Sequence, residues 1–458
     1  MTVLCDYLEC ATLICDGRVQ HCMETATVQK ETLWRNHSFL KLWTSDTISQ
    51  FGSQFTTLAL PLTAVIILHS NPTEQGILIF MGSVPWLLFG LFVGVWVDRH
   101  RKQRIMVTSN ILRGSLLALI PIAAIFGMIT QLGILFLYAI SFSVGFLQVF
   151  FDITYQSFLP ALVRKEQLVE GNSKLQASAS VAQAAGPTMA GIVIGIVTAP
   201  IAIAIDACSF FASAFTLARI EHNESIDLGT SKASVFGDMR EGLRVVLGDK
   251  RLRMIAGSTG TFNFFGTGLF TILPFFLLSL GISTSNVALA EGLIFSIASI
   301  GSLVGVILAP RIAARIGMGL SIIGSALIGG LGGIPYYLSG SLTASPLFAL
   351  FGLDVNWYLL AIMAGQFVSF IGVVVYNINQ VSLRQAIVPI RLQGRMNATM
   401  RFLVWGTIPL GALTGGLLGT FFGLRNAIGI AVLGGSLTFL WVLLSPVRSL
   451  KEIPESME

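Results

Sequence analysis

Twelve apolar stretches run through this sequence, near residues 44–68, 76–97, 105–128, 132–152, 173–197, 199–219, 254–280, 288–309, 317–338, 356–378, 397–420 and 425–446. A helix rises about 1.5 Å per residue, so roughly 20 apolar residues cross the hydrocarbon core of a bilayer. In that solvent each backbone polar group must be satisfied within its own segment, which a helix achieves. Only 11% of the residues are charged, against about a quarter in soluble domains. Such a chain has too little polar surface to cover itself in water. The sequence predicts an all-α membrane protein of twelve transmembrane helices, with the lipid bilayer as its main solvent.

Lysine and arginine set the orientation. With the N-terminus in the cytoplasm, all but four of the 28 basic residues fall in cytoplasmic segments. The exceptions are Arg113, Lys174 and Arg401 within spans and Arg425 outside. Losing one span would scramble this alternation. Both termini are therefore expected on the cytoplasmic side of the cell membrane. The longest polar interval, about 220–253, lies midway. The expected divisions are a leader (1–37), a six-helix half (38–219), a cytoplasmic linker (220–253), a second six-helix half (254–446) and a cytoplasmic tail (447–458).

The halves carry traces of duplication. At an offset of 225 residues, FDITYQSFLPALV (151–163) lies over YNINQVSLRQAIV (376–388), matching Ile153 with Ile378, Ser157 with Ser382, Ala161 with Ala386 and Val163 with Val388. Asn172, Gly186 and Gly191 then match Asn397, Gly411 and Gly416. Two six-helix pseudo-repeats with a site at their interface form a transporter plan.

The leader holds Cys5, Cys10, Cys15 and Cys22 without a CxxC pair. Asp6, Glu9 and Asp16 break its apolar stretches, so it fails as a signal peptide. It reads as disordered, or as sequence ahead of a natural start at Met23. No GxxxxGK[ST], GxSxG or HExxH motif occurs. The net charge of +5 follows from membrane orientation and does not require nucleic acid. An enzyme, a cofactor, a metal site and a nucleic-acid partner are all unexpected.

A charge in hydrocarbon is costly, so intramembrane ionisable residues are functional candidates. Asp46, Gln50, Ser53 and Thr57 recur at helical spacing and make one face of the first span polar. That face is expected to meet a water-filled cavity. Arg113 lies at similar depth in the third span. An Asp46–Arg113 pair is conceivable, as a proton-coupled switch or as a static ion pair. Asp206 reads as a proton site or a structural anchor. Snorkelling accounts for Asp152, Lys174 and Glu291 near span ends. Asn263 and Thr267 on the seventh span, Gln366 and Asn377 on the tenth and Arg401 on the eleventh complete the expected cavity lining. Phe264, Phe265, Phe270 and Trp405 read as ordinary core or lipid-facing aromatics.

After the second span comes GVWVDRHRKQR (94–104). Its basic residues suit a solvated cytoplasmic loop or a lipid-headgroup contact, but Asp98 goes against the local trend. The motif resembles the major facilitator superfamily signature G-x-x-x-D-[RK]-x-G-[RK]-[RK], with Arg101 where the signature has glycine. AAGPTMAG (184–191) is similar to the Gly-Pro-x-x-x-Gly motif of that superfamily's proton-coupled drug exporters. FDITYQSFLPALVRKEQLVEGNSKLQASASVAQAAGP, followed by AIDACSF, resembles the branch holding macrolide efflux and enterobactin export proteins.

The resemblance implies a cytoplasmic gate that latches while the outside is open. Asp98 would meet the start of the eleventh span near Arg395 and Asn397. Arg101 or Lys102 would pair with Asp152, and Arg99 belongs to the same loop. Gly90 and Gly94 would let the second and eleventh spans close, against a small face of Gly411, Gly415 and Gly419. Gly186, Pro187 and Gly191, extended by Gly195, would form a kinked hinge-and-seal between the fifth span and a partner in the other half. The alternative is a bland packing kink.

The implied activity is proton-driven export of amphiphilic small molecules, macrolide-like drugs included, by a monomer. A siderophore or secondary-metabolite exporter, a lipid translocator and a non-transporting sensor on the same fold remain open.

Overall fold

The computed structural model describes residues 33–97, 100–164, 167–221, 235–339, 345–350 and 352–450. The cysteines of the leader lie outside these residues. Six long helices come first: α1 (His37–Ile66), α2 (Pro72–Val97), α3 (Lys102–Ile125), α4 (Ile129–Leu162), α5 (Leu168–Val197) and α6 (Ala199–Ala218). A shorter helix, α7 (Val235–Gly248), occupies the interval read as a linker. Then follow α8 (Lys250–Ser279), α9 (Thr284–Ile316), α10 (Met318–Leu331), α11 (Ile334–Leu338), α12 (Trp357–Ile387), α13 (Ile390–Trp405), α14 (Thr407–Phe422), α15 (Leu424–Ser436) and α16 (Phe439–Leu443).

Joining across the breaks in α10–α11, α13–α14 and α15–α16, ten helical segments of the described residues are long and apolar enough to cross a membrane. The chain is a multi-pass helical membrane protein. α1 is not among the ten. In α1 the polar run from Asp46 to Thr57 dilutes the apolar content.

Helix ends follow local chemistry. Asn36 caps α1 by accepting the Phe39 N–H at 3.0 Å, and Asp249 caps α8 by accepting from Arg251 N–H at 2.7 Å. Single glycines turn the chain between α9 and α10 and between α14 and α15. Gly317 (φ 84°) and Gly423 (φ 79°) adopt a conformation that a side chain disfavours.

The sequence reading held no strand, but Pro346–Leu350 (β1) and Leu353–Asn356 (β2) pair antiparallel. This hairpin occupies the loop expected at about 339–355. Leu353 and Val355 are buried in the main core, and the Asn286 side chain donates to Gly352 O at 2.9 Å.

Within the first set of helices α1 packs on α5 and α6, α3 on α4 and α6, and α2 on α4. Within the second, α12 packs on α9 and α10, and α8 on α14 and α15. Two seams join the sets, α5 against α9 and α2 against α14. We call the end carrying His37, Lys102, Leu162 and Lys250 the basic end. At the opposite end one apolar core crosses both sets, with Leu62 and Ala199 in the same cluster as Leu277, Val287 and Ile428. At the basic end the cores are separate. Leu33, Phe39 and Leu217 belong to one, and Leu252, Ile387 and Met396 to another. The sets are therefore fused at one end and parted at the other.

Candidate substrate cavity and gates

The α5–α9 seam is made by backbone in contact with backbone. Gly191 lies against the main chain of Ala288 and Leu289, and Gly292 under the Pro187 carbonyl. A side chain at Gly195 would meet Ser285 O at 3.6 Å. Thr188 Oγ1 bonds Ser296 Oγ at 2.7 Å, and Ser299 Oγ donates to Gln183 O at 2.9 Å. The small residues of AAGPTMAG thus face the other set at α9. Gly186 does not share this role; it packs on the Gln54 side chain of α1, in its own set.

The α2–α14 seam uses the same device. Gly416 lies under the Pro72 carbonyl, and a Cβ at Gly76 would stand 2.6 Å from Ala412 O. Thr73 Oγ1 bonds Thr420 Oγ1 at 2.9 Å. The close approach of these helices is therefore at Gly76, far from Gly90 and Gly94. Nothing lies within 4 Å of a Cβ at Gly94, and one at Gly90 would meet only Trp86 of its own helix. Gly411 and Gly415 pack on α8, at Phe264 and Gly268, while Gly419 meets Pro72 and Ile272.

Where the sets part, at the basic end, a cavity of about 360 Å³ lies between α2, α4 and α13–α14. Trp86, Gly90, Gly94, Gln156, Asn397, Arg401 and Trp405 are among its walls. Arg401 bridges the sets by donating to Gln156 Oε1 at 3.3 Å, and its guanidinium lies 5.2 Å from the Trp405 ring. Trp86 meets Trp405 edge-on at 5.3 Å. Trp405 is therefore a cavity residue, contrary to its sequence reading, and Trp86 and Gln156 were missed.

A polar cluster fills the first set. The Asn110 side chain donates to Ser213 Oγ at 2.8 Å, and Ser213 Oγ bonds Ser45 Oγ at 2.6 Å. Arg113 is buried, donates to Asn110 at 3.3 Å and lies 3.8 Å from the Phe210 ring. Its charged neighbours are Asp152 and Asp206. No ion pair within 4.0 Å joins it to Asp46, which sits beside Tyr155 and Gln50. Asp206 accepts from Ser209 at 3.1 Å and lies against Gly52, close to Ser53 and Thr56.

Two acids depart from the snorkelling expectation. Asp152 accepts from Gln148 at 2.6 Å and faces Arg113 and Arg401 in the interior. Glu291 is 2% exposed, its Oε1 has no partner, and its titratable neighbour is Tyr336. The helix dips it into the core beside the α5–α9 seam. Lys174 does stay near the basic end, on Glu170 at 3.2 Å and on the Trp34 ring at 4.0 Å.

In the second set Asn263, Thr267, Tyr336 and Gln366 line a cavity of about 300 Å³. Gln366 donates to Tyr336 Oη at 3.0 Å, and Asn263 to Val404 O at 3.2 Å. Asn377 lines a smaller adjacent pocket of about 60 Å³.

Asp98 and Arg99 lie outside the described residues. Lys102 donates to Ser157 O at 3.2 Å, and neither it nor Arg101 forms an ion pair with Asp152. Arg395 pairs with Glu241 of α7 at 2.5 Å, and Gly242 packs on Arg395 and Thr399. The linker helix is thus docked on α13, which no sequence signal suggested. Among the described residues no group of three or more His, Cys, Asp or Glu could hold a metal ion.

Two sets of membrane helices, fused at one end and parted around a cavity at the other, define the architecture of a secondary transporter. The family model for the Major Facilitator Superfamily matches residues 42–353, and the chain belongs to that family of transporters, not of enzymes. It is 23% identical over 297 residues to the uncharacterized MFS-type transporter YkuC of Bacillus subtilis (strain 168), over 61% of this chain and 66% of that one. It is 23% identical over 230 residues to macrolide efflux protein A of Streptococcus pyogenes, over 49% and 55% of the two chains. The matches thus span between about half and two thirds of these relatives. A crystal structure of a bacterial homologue of the iron transporter ferroportin, in an inward-facing state, shares the fold with a TM-score of 0.69 at 15% identity. That likeness covers 92% of this chain and 100% of the other.

Proposed function

We propose that this protein is a twelve-span secondary active transporter of the cytoplasmic membrane. Both termini are cytoplasmic, and it exports small amphiphilic molecules in exchange for protons. One observation carries the reading: the same two helix sets are fused at one end and parted around a cavity at the other. With the positive residues inside, the parted end faces the cytoplasm, where an exporter loads. Reversing the contacts would close the Gly90–Gly94 end and open the two seams.

The proposed loading site is the cavity between α2, α4 and α13. Trp86 and Trp405 offer faces to an apolar or aromatic body, while Gln156, Asn397 and Arg401 offer polar contacts. This mixture suits an amphiphile. The similarity to macrolide efflux protein A supports export of macrolide-like drugs. Asp46 is the proposed proton carrier. It is buried on the polar face of α1 with Asp152 as its charged neighbour, and Asp152 in turn faces Arg113 together with Asp206. Gaining or losing a proton there changes the charge of the cluster between α1, α3, α4 and α6. In this reading Asp98 latches α13 only in the outward-open state.

Drug-susceptibility profiling with and without the protein, repeated with the proton gradient collapsed, tests the function. Protection that vanishes on collapse is expected. Protection that survives it removes proton coupling, and its absence across amphiphilic drugs removes drug export. Asp46→Asn tests the carrier: full retention of proton-driven efflux at equal protein level would exclude it.

A further inference from the structure

A second large concavity lies on the outer flank of the first set, away from the cavity between the sets. It measures about 490 Å³ and is lined only by α2, α4, α3 and the turn before α3. Its wall is aromatic: Trp96 meets Phe150 edge-on at 5.4 Å, and Phe150 meets Phe146 at 5.0 Å. Leu112 continues it into the exposed apolar face of α3, which includes Ile111, Leu119 and Ile122. This face has hydrocarbon for its neighbour.

The mouth has the opposite chemistry. His100 stacks on Trp96 at 4.0 Å, and its Nδ1 donates to Trp96 O at 2.8 Å. A carbonyl only accepts, so Nδ1 carries the hydrogen and Nε2 is left for another partner. Arg101, which precedes α3 in an extended conformation, and Arg104 in the first turn line the same mouth and are exposed. Among the described residues neither guanidinium has a hydrogen bond or ion pair. Basic residues on this side need no ligand to explain them. Two unpaired guanidiniums and a braced imidazole at the open end of an aromatic trough are more specific than a diffuse charge.

We propose that this groove binds an anionic phospholipid from the leaflet at the basic end, its phosphate held by Arg101 and Arg104 and an acyl chain lying along Phe146, Phe150 and Leu112. A guanidinium matches phosphate oxygens in a fixed fork. Basic pockets between membrane helices at the cytoplasmic surface are suited to such headgroups. The site is separate from the transport cavity, so it stands whether or not the cargo proposed above is right.

The test uses the full chain, purified in detergent with an equimolar mixture of phosphatidylglycerol and phosphatidylcholine, and counts retained lipids by native mass spectrometry. One phosphatidylglycerol held in preference to phosphatidylcholine is expected. Arg101→Gln/Arg104→Gln should weaken that retention roughly 30-fold, at about one kcal/mol per arginine. Arg311→Gln/Arg315→Gln, which removes the same charge from the other set, should leave it unchanged. Equal loss in both double variants would reduce the effect to general surface charge and overturn the site. Unchanged retention in Arg101→Gln/Arg104→Gln would overturn it as well. Displacement by glycerol phosphate without acyl chains would refute the trough. Circular dichroism and size-exclusion chromatography check that each variant is folded.

Discussion

Gly292→Ala asks whether backbone contact at the α5–α9 seam holds the sealed end shut. The added methyl would collide with the Pro187 carbonyl oxygen, stand 2.9 Å from its carbon and lie 3.2 Å from Thr188 Cα. These are main-chain atoms of a long helix, so no rotamer change relieves the clash. The helices must separate by about 1 Å to restore ordinary contact. That movement strains the Thr188–Ser296 hydrogen bond, 2.7 Å long here. Overpacking of this kind costs about 1–3 kcal/mol. The clash exists only while α5 and α9 touch, so the cost falls on the sealed state alone. The equilibrium should shift toward the state open at this end by roughly 5- to 150-fold. Spin labels at Leu135→Cys and Phe421→Cys, 74% and 75% exposed at the sealed end of the two sets, would read this as a longer distance. Cys208 is exposed, so a cysteine-free background is needed. Gly266→Ala, where a Cβ meets nothing within 4 Å, is the control. A distance distribution in Gly292→Ala identical to its parent would refute the reasoning.

Three further outcomes are expected. Glu291→Leu removes a buried carboxyl whose Oε1 has no partner and should raise thermal stability in detergent by about 1–3 kcal/mol; a lower Tm would reveal a stabilising contact. At Asp249, burial alone would raise the pKa, but the Arg251 side chain and the N–H groups of Arg251 and Leu252 outweigh it and hold the carboxyl below its ordinary value of 3.8. A depressed carboxylate adds stability above its unfolded value and loses it as pH falls through the folded one. Asp249→Ala should thus cost about 0.5–2 kcal/mol at neutral pH, with the gap closing below 3.8; a gap independent of pH would show that charge is not involved. Arg401→Met loses the Gln156 and Trp405 contacts and should slow drug uptake into inverted vesicles about two- to fivefold, with unchanged uptake removing Arg401 from the loading site.

Hydropathy made the helices legible, because an unbroken apolar run has few alternatives in a bilayer. The polar face of α1 was equally plain from its spacing. Depth and facing were harder to read. Glu291 lies few residues from a helix end, so counting placed it within reach of water, yet its face of α9 turns into the core. Asp152 closes the apolar run of its span, but α4 continues to Leu162, so the acid stands well inside the helix, facing Arg113 and Arg401. Glycine spacing shows that a helix can be approached closely, but not where along its length the approach occurs. Hence the close approach of α2 to α14 at Gly76 was not singled out, while Gly90 and Gly94 line the parted end. Trp405 carried no distinguishing signal, since an aromatic in an apolar helix looks the same facing lipid, core or cavity. The docking of the hairpin on Asn286 and the Glu241–Arg395 pair depend on partners remote in sequence, which periodicity does not report.

The two seams also bear on how quickly such a protein could switch. Interlocked side chains must hop between rotamers before two surfaces part, and each hop adds to the barrier. At Gly191, Gly292 and Gly416 the facing surfaces are main chain, with no rotamers to unlock. Separating them gives up contact area and a few hydroxyl hydrogen bonds, but it demands no repacking. The depth of the sealed state and the time needed to leave it are thereby set by different features. A seam of this kind can hold its end tightly shut and still release fast enough for a cycle of many turnovers.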